Sequence, residues 1–271
     1  MLPTIDIGKT AVTRFIMGGN IISGTSHVSA DMDNEIEDYY TTDNIKKAFA
    51  RCEGCGINTV ALRADKHIMR VLREYWNEGG KLHWIVQTAS EMLSFKGNIN
   101  AAMRYKPVAF YHHGSITDHL FQNGKFDEFK EHLKIMRDTG LPVGVATHNP
   151  EYIKYFDDNG FDIDFYMACV YNLTKIAHVS SAITGKHNED ERFDDADIEP
   201  MYARIAQTGK PCFAFKIFGA TRRSGTPESV RECLKQAYER IKPTDGVMAG
   251  MFQKYTDQIA ENCKIVGELL K

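Results

Sequence analysis

The chain has 271 residues, of which 43% are hydrophobic and 25% charged, with a formal net charge of −3. That balance is ordinary for a globular protein; it gives no field for recruiting nucleic acid, and no run nears the roughly 18 apolar residues of a membrane span. The start lacks the basic and apolar blocks of a signal peptide, and six Cys in so long a chain do not make a disulfide scaffold, so a cytoplasmic protein with reduced thiols is expected.

In chain order, Thr4 to Thr13 alternates around Gly8-Lys9 and predicts a hairpin. Arg14 to Asn20 reads as a buried strand ending in glycines, followed by a loop with Ser26-His27 and an acidic tract from Asp31 to Asp38. Thr42 or Asp43 caps a helix reaching Cys52. Its end carries Cys52 and Cys55, a C-x-x-C that reads as structural because no second pair completes a zinc site and a redox pair would open a helix. Ile57 to Leu62 is strand-like and runs into Arg63 and Asp65, which caps a helix from Lys66 to Trp76.

The alternation repeats. Leu82 to Thr88 is a strand and Ile99 to Arg104 a weak helix. A strand over 107–112 ends in the adjacent pair His112-His113, then Phe126 to Asp138 is amphipathic. Pro142 to Thr147 is a strand ending in His148-Asn149, before a helix from Glu151 to Asp158. Phe165 to Tyr171 is a strand leading to a polar loop over about 172–196, where His187 to Arg192 reads as a solvated charge run. A helix from Asp197 to Gln207, a strand from Pro211 to Ile217, a Thr226-capped helix to Ile241, a strand from Gly246 to Gly250 and a helix from Asp257 to Leu270 complete the chain.

Eight strand–helix units without a linker predict a single (β/α)8 barrel over residues 1–271 with an N-terminal β-hairpin. Active sites of such barrels lie at the C-terminal strand ends. Those ends carry Asn20, Arg63, Asp65, Gln87, Glu91, His113, Asn149, Tyr171 and Asn172 as candidate substrate ligands. His112, His148 and Lys216 are the candidate catalytic groups: imidazole exchanges protons near neutrality, and a strand-end lysine serves as an electrostatic clamp or Schiff-base amine. Side-chain alternation implies that one of His112 and His113 points away from the barrel axis. His112, His148, Glu91 and Asp65 also suit Zn, Mn or Fe as a ligand set, though no short-spacing motif enforces a metal.

Several stretches together resemble the aldo/keto reductase superfamily: the opening from Ile5 to Gly19, Gly56 to Thr59, Phe110-Tyr111-His112, Val143 to Asn149, Val170 to Leu173, and Gly250 to Asn262. The resemblance implies the barrel fold and a segment for the adenine end of NADP(H), placing Arg222, Gly250, Lys254, Gln258, Glu261 and Asn262 as cofactor ligands. It also implies an Asp, Tyr, Lys and His set for carbonyl reduction, from which this chain departs. Ala61 stands at the Asp position, Ala89 at the Lys position, the Tyr segment is absent, and the surviving His is matched to His112. Losing the tetrad points to non-redox acid–base chemistry (elimination, hydration or isomerisation) on a small polar carbonyl or sugar-like compound, as in a lyase of carbohydrate metabolism. The alternatives are an NAD(P)H-dependent oxidoreductase using substitute residues and an inactive binding protein. A small molecule is the only partner expected, with neither nucleic acid nor membrane.

Overall fold

A computed structural model describes residues 2–89, 91–176, 181–184, 186–188 and 191–271. Strands β1 (Thr4–Ile7) and β2 (Thr10–Thr13) form the hairpin, with Ile5 opposite Val12. Its tight turn needs a left-handed residue, which Gly8 supplies at φ +61°.

Eight parallel strands follow: β3 (Phe15–Gly18), β4 (Thr59–Arg63), β5 (His83–Gln87), β6 (Ala109–His112), β7 (Val143–Thr147), β8 (Phe165–Cys169), β9 (Cys212–Phe215) and β10 (Gly246–Ala249). Each pairs with the next, and β10 pairs with β3 to close the barrel. Helices α1 (Ala30–Tyr39), α2 (Thr42–Gly54), α3 (Lys66–Asn77), α4 (Phe95–Met103), α5 (Gly114–Gln122), α6 (Phe126–Arg137), α7 (Pro150–Asp158), α8 (Ser181–Thr184), α9 (Ile198–Gln207), α10 (Pro227–Arg240) and α11 (Gln258–Leu269) complete the order. The closed barrel with its hairpin is the architecture the strand–helix alternation predicts.

Side-chain parity divides the core into two layers. Ile16, Ala61, Ile85, Ala109, Tyr111, Ala146, Phe165, Met167 and Phe213 pack inside the barrel. The hairpin's Ile5, Ile7 and Val12 join that inner cluster and close the N-terminal end. Phe15, Met17, Val60, Leu62, Val86, Phe110 and Val145 face the helices instead. Each large apolar side chain so buried contributes about 1.5–3 kcal/mol.

Three helices, α1, α5 and the short α8, fall where sequence periodicity gives none. Helix α1 occupies the acidic tract expected as a loop; Ser29 caps it by accepting from Met32 N at 3.1 Å, but Ile36 is its one fully buried residue, too thin a stripe to read as periodic. Helix α5 follows β6 almost directly, and its N-cap residue His113 makes no side-chain capping bond. The loop after β8 holds the 3₁₀ turns Leu173–Lys175 and Asp195–Asp197 as well as α8. Cys52 is buried with its thiol 3.5 Å from Met17 Sδ, and all six cysteines are free. Among the described residues no helix is long and apolar enough to cross a membrane.

Candidate active site

A cavity of about 540 Å³ opens at the C-terminal ends of the barrel strands. Its deep wall is formed by Tyr111, Ala146, Met167, Phe215 and Met248, and its polar groups by Asn20, His27, Arg63, Gln87, His113, His148, Glu191 and Lys216. These residues come from the ends of several strands and from the loops after β3 and β8.

His148 follows β7 and is 7% exposed. Its Nδ1 lies 2.7 Å from Oδ2 of Asp118, which α5 carries into the same spot. Asp118 also accepts from Thr147 Oγ1 at 2.5 Å and from the His148 amide at 3.2 Å. With two donors already on it, Asp118 faces Nδ1 as an acceptor, which orients the ring and leaves Nε2 as the nitrogen His148 offers to a ligand. Gly114 permits this approach: a Cβ there would sit 3.1 Å from His148 Cε1. The arrangement is a carboxylate-oriented imidazole, able to donate or accept a proton at one fixed point.

His113 lines the cavity as well, and its Nδ1 is sealed from solvent with no hydrogen-bond partner among the described residues. Burial, then repulsion from Arg63, His148 and Lys216, pushes its pKa down to about 3, so the ring stays neutral. Lys216 stands just beyond β9 with a left-handed backbone, φ +60°, and a side chain 9% exposed. Its ammonium is 3.9 Å from Glu191 Oε2 and 5.4 Å from the Phe193 ring centre. Glu191 accepts from His27 Nδ1 at 2.6 Å, while His27 Nε2 accepts from Asn20 Nδ2 at 2.8 Å. Burial, then the Lys216 charge, lowers the pKa of His27, consistent with that neutral tautomer. Arg63 pairs with Glu91 and lies 3.8 Å from Asp65 Oδ2, and Tyr111 donates to Gln87 Oε1 at 2.8 Å.

Of the three candidate catalytic groups, His148 and Lys216 meet in the cavity and His112 does not. His112 shares the outward parity of Phe110 and is fully buried among the helices. Its ring bonds Thr117 Oγ1 at 2.7 Å and His132 Nδ1 at 3.0 Å, against Phe95 and Phe129. His113 is the member of the pair that faces inward. Asn20, Arg63, Gln87 and His113 line the cavity, whereas Asp65, Glu91, Asn149, Tyr171 and Asn172 do not. Asp65 and Asn149 cap α3 and α7, Glu91 holds Arg63, Tyr171 donates to Asp195, and Asn172 accepts from Thr174. The metal set therefore fails to assemble: His112 faces away, Asp65 and Glu91 are spent on a cap and an ion pair, and no group of three or more His, Cys, Asp or Glu converges among the described residues. The charge run expected to be solvated, from His187 to Arg192, sends Glu191 into the cavity and pairs His187 with Asp33 at 2.8 Å; Glu189 and Asp190 lie outside the described residues.

Beyond Lys216 the cavity continues as a groove past Thr221, Ser224, Gly225 and Thr226 to Gln258, Glu261 and Asn262 on α11. The chain along it turns through Gly219 and the non-glycine left-handed residues Ala220 (φ +50°) and Thr221 (φ +73°). At Gly250 a Cβ would come within 2.7 Å of Ile21 Cγ1. Arg222 and Lys254 are not part of this lining: Arg222 bonds the carbonyls of His27, Gly219 and Ala220 and stacks on Phe193, and Lys254 pairs with Glu35.

The structure resembles AKR11C1, an aldo-keto reductase from Bacillus halodurans in its holo form, with TM-score 0.60 and 11% identity over 100% of this chain and 97% of that one. The barrel is similar in fold to an aldo-keto reductase. Gox0644 in its apo form gives TM-score 0.59 at 8% identity, covering 100% and 94% of the two chains. The glycerol dehydrogenase AKR11B4 of Gluconobacter oxydans gives 0.51 at 11%, covering 98% and 94%. The sequence matches no family model and no curated protein. In this barrel Ala61 faces the interior and Ala89 is buried just past the end of β5, so neither position supplies an acid. Asp118, Glu191 and His27 are the site residues that sequence reasoning missed. Asp118 did leave a signal, as the only acid between Val108 and Gln122.

Proposed function

We propose that the chain is a nicotinamide-dinucleotide-dependent oxidoreductase of small polar carbonyl compounds, with His148 as the proton-exchanging group. The observation that carries this reading is the Asp118–His148 pair at the head of a groove running on to α11. A small substrate alone does not need that length.

The groove suits a dinucleotide. The Phe215 ring, 5.8 Å from the His148 ring, offers a face for a flat heteroaromatic. Thr221, Ser224 and Thr226 lead to the N-terminus of α10, the end of a helix that favours phosphate. Gln258, Glu261 and Asn262 offer hydrogen bonds to an adenosine end. When bound, the dinucleotide supplies a hydride to the carbonyl carbon. His148 gives its Nε2 proton to the oxygen as the C=O π pair becomes an alkoxide, and solvent reprotonates the ring. Asp118 stabilises the imidazolium before transfer and holds the tautomer after it. The reverse sequence oxidises the alcohol. A donor so placed contributes about 10²–10⁴-fold, the role left open by the absent Tyr.

A second reading, non-redox acid–base chemistry on a similar substrate, is favoured by one observation: His113, His148 and Lys216 line the same cavity and could supply acid, base and clamp without a cofactor. Titrating the protein with NADH and NADPH, followed by cofactor fluorescence and thermal shift, separates the two. Saturable binding of either supports the oxidoreductase; no response to both removes it and leaves the acid–base enzyme.

A further inference from the structure

We propose that the Glu191 carboxylate holds the place of an anionic group on the substrate, so that the enzyme acts on small oxo or hydroxy acids whose carboxylate binds Lys216 while their carbonyl oxygen meets His148. This rests on the reading of His148 as the proton-exchanging group.

Lys216 is built into the site at a cost. A lysine held at φ +60° carries backbone strain, which persists where surrounding structure enforces it. The strain turns into the cavity an ammonium that is 9% exposed. Among the described residues its one ion-pair partner is Glu191, and at 3.9 Å that contact is longer than a hydrogen bond. A nearly buried cation with so loose a partner has electrostatic energy to gain from a closer anion. Arg63, the other cation of the wall, is already matched by Glu91 and Asp65.

Glu191 is not native to the barrel wall. It reaches in from the loop after β8, is 10% exposed, and is steadied by His27. Burial works against its charge, but Lys216 and the His27 hydrogen bond outweigh burial and hold the carboxyl well below the usual carboxylate range. The site thus stabilises one negative charge beside Lys216, supplied here by a loop side chain rather than by a strand. Lys216 and His148 line the same cavity, and the charges of both bear on Glu191, so anion and carbonyl sites belong to one pocket. A compound carrying both an anionic group and a carbonyl could engage both groups in this one cavity.

The test is calorimetric binding of pyruvate, 2-oxobutyrate and 2-oxoglutarate, each against its methyl ester, to the full chain and to Glu191→Gln and Lys216→Met. We expect at least one acid to bind about tenfold more tightly than its ester, about tenfold more tightly again in Glu191→Gln, and about tenfold more weakly in Lys216→Met, with ester affinity moved less than about twofold. Circular dichroism checks that both variants fold. If no acid outbinds its ester in either the parent or Glu191→Gln, or if Lys216→Met binds acids as the parent does, the proposal is overturned. Binding is read without turnover, so acid preference without any dinucleotide binding sinks the oxidoreductase reading alone, and dinucleotide binding without acid preference sinks this proposal alone.

Discussion

Replacing Asp118 by Asn removes one charge and keeps the shape of the group that aims His148. Asp118 accepts from Thr147 Oγ1 at 2.5 Å, His148 N at 3.2 Å and His148 Nδ1 at 2.7 Å. The Thr147 hydroxyl can turn and accept, so the new amide nitrogen settles against it and the remaining oxygen stays on His148. What is lost is charge assistance. Hydrogen bonds to charged groups contribute about 1.5–3 kcal/mol against roughly 1 for neutral ones, so about 1–2 kcal/mol disappears. That corresponds to a turnover about 5- to 30-fold lower. Asp118→Ala is harsher, because it orphans three buried donors at about 1–3 kcal/mol each, a large share of the 5–15 kcal/mol that holds a protein folded. NADH oxidation over a panel of small aldehydes, ketones and oxo acids, with thermal unfolding alongside, reads both effects. Full turnover in Asp118→Asn at an unchanged Tm would refute the pairing as a catalytic device.

Four further outcomes are expected. His112→Ala opens a hole between Phe95 and Phe129 and loses about 2–4 kcal/mol of stability, yet turnover per folded molecule stays within about twofold; a collapse of kcat at intact stability would return His112 to the chemistry. Stability falls as pH drops, because burial lowers the folded pKa of His113 to about 3 and of His112 well below normal, while the unfolded chain binds those protons from about pH 6.5. The His113 contribution is whole above about pH 6.5 and is lost toward pH 3, reaching roughly 2 kcal/mol of loss at pH 5, so His113→Asn should show a shallower fall of Tm between pH 7 and 5. NADH should bind about tenfold more tightly than NADPH, since Glu261 lines the far end of the groove and no cation does so among the described residues; equal titration curves would contradict this. Gly114→Ala places a Cβ 3.1 Å from His148 Cε1, which should displace the ring by a few tenths of an ångström and cut turnover about tenfold with little change in Tm.

The barrel could be read from the sequence because each of its strands is a short apolar run followed by an amphipathic helix, and local periodicity carries that information. Parity was half readable. Alternation says that His112 and His113 face opposite sides, but choosing between them needs the closed register, in which Ala61, Ala109 and Ala146 lie inside with Tyr111. Family matching chose His112; the packing of Phe110 and His112 against the helices chose otherwise. His148 and Lys216 were visible because they end strands. Asp118 was not, since α5 shows no cap signal and an acid on a helix without a periodic apolar stripe carries no direction. Glu191 was hidden more deeply. It sits in a run of charges, 164 residues from the histidine it meets, and only the folded loops bring the two together.

The hairpin gives this barrel a floor. With Ile5, Ile7 and Val12 packed against the inner cluster, the N-terminal end is shut, and the interior is a blind vessel with one mouth. Any small molecule that reaches His148 passes a rim bordered by His27 and Glu191. Traffic through such a vessel is queued: whatever fills the mouth controls what can leave the bottom, so the order of binding and release is set by geometry before any affinity is considered.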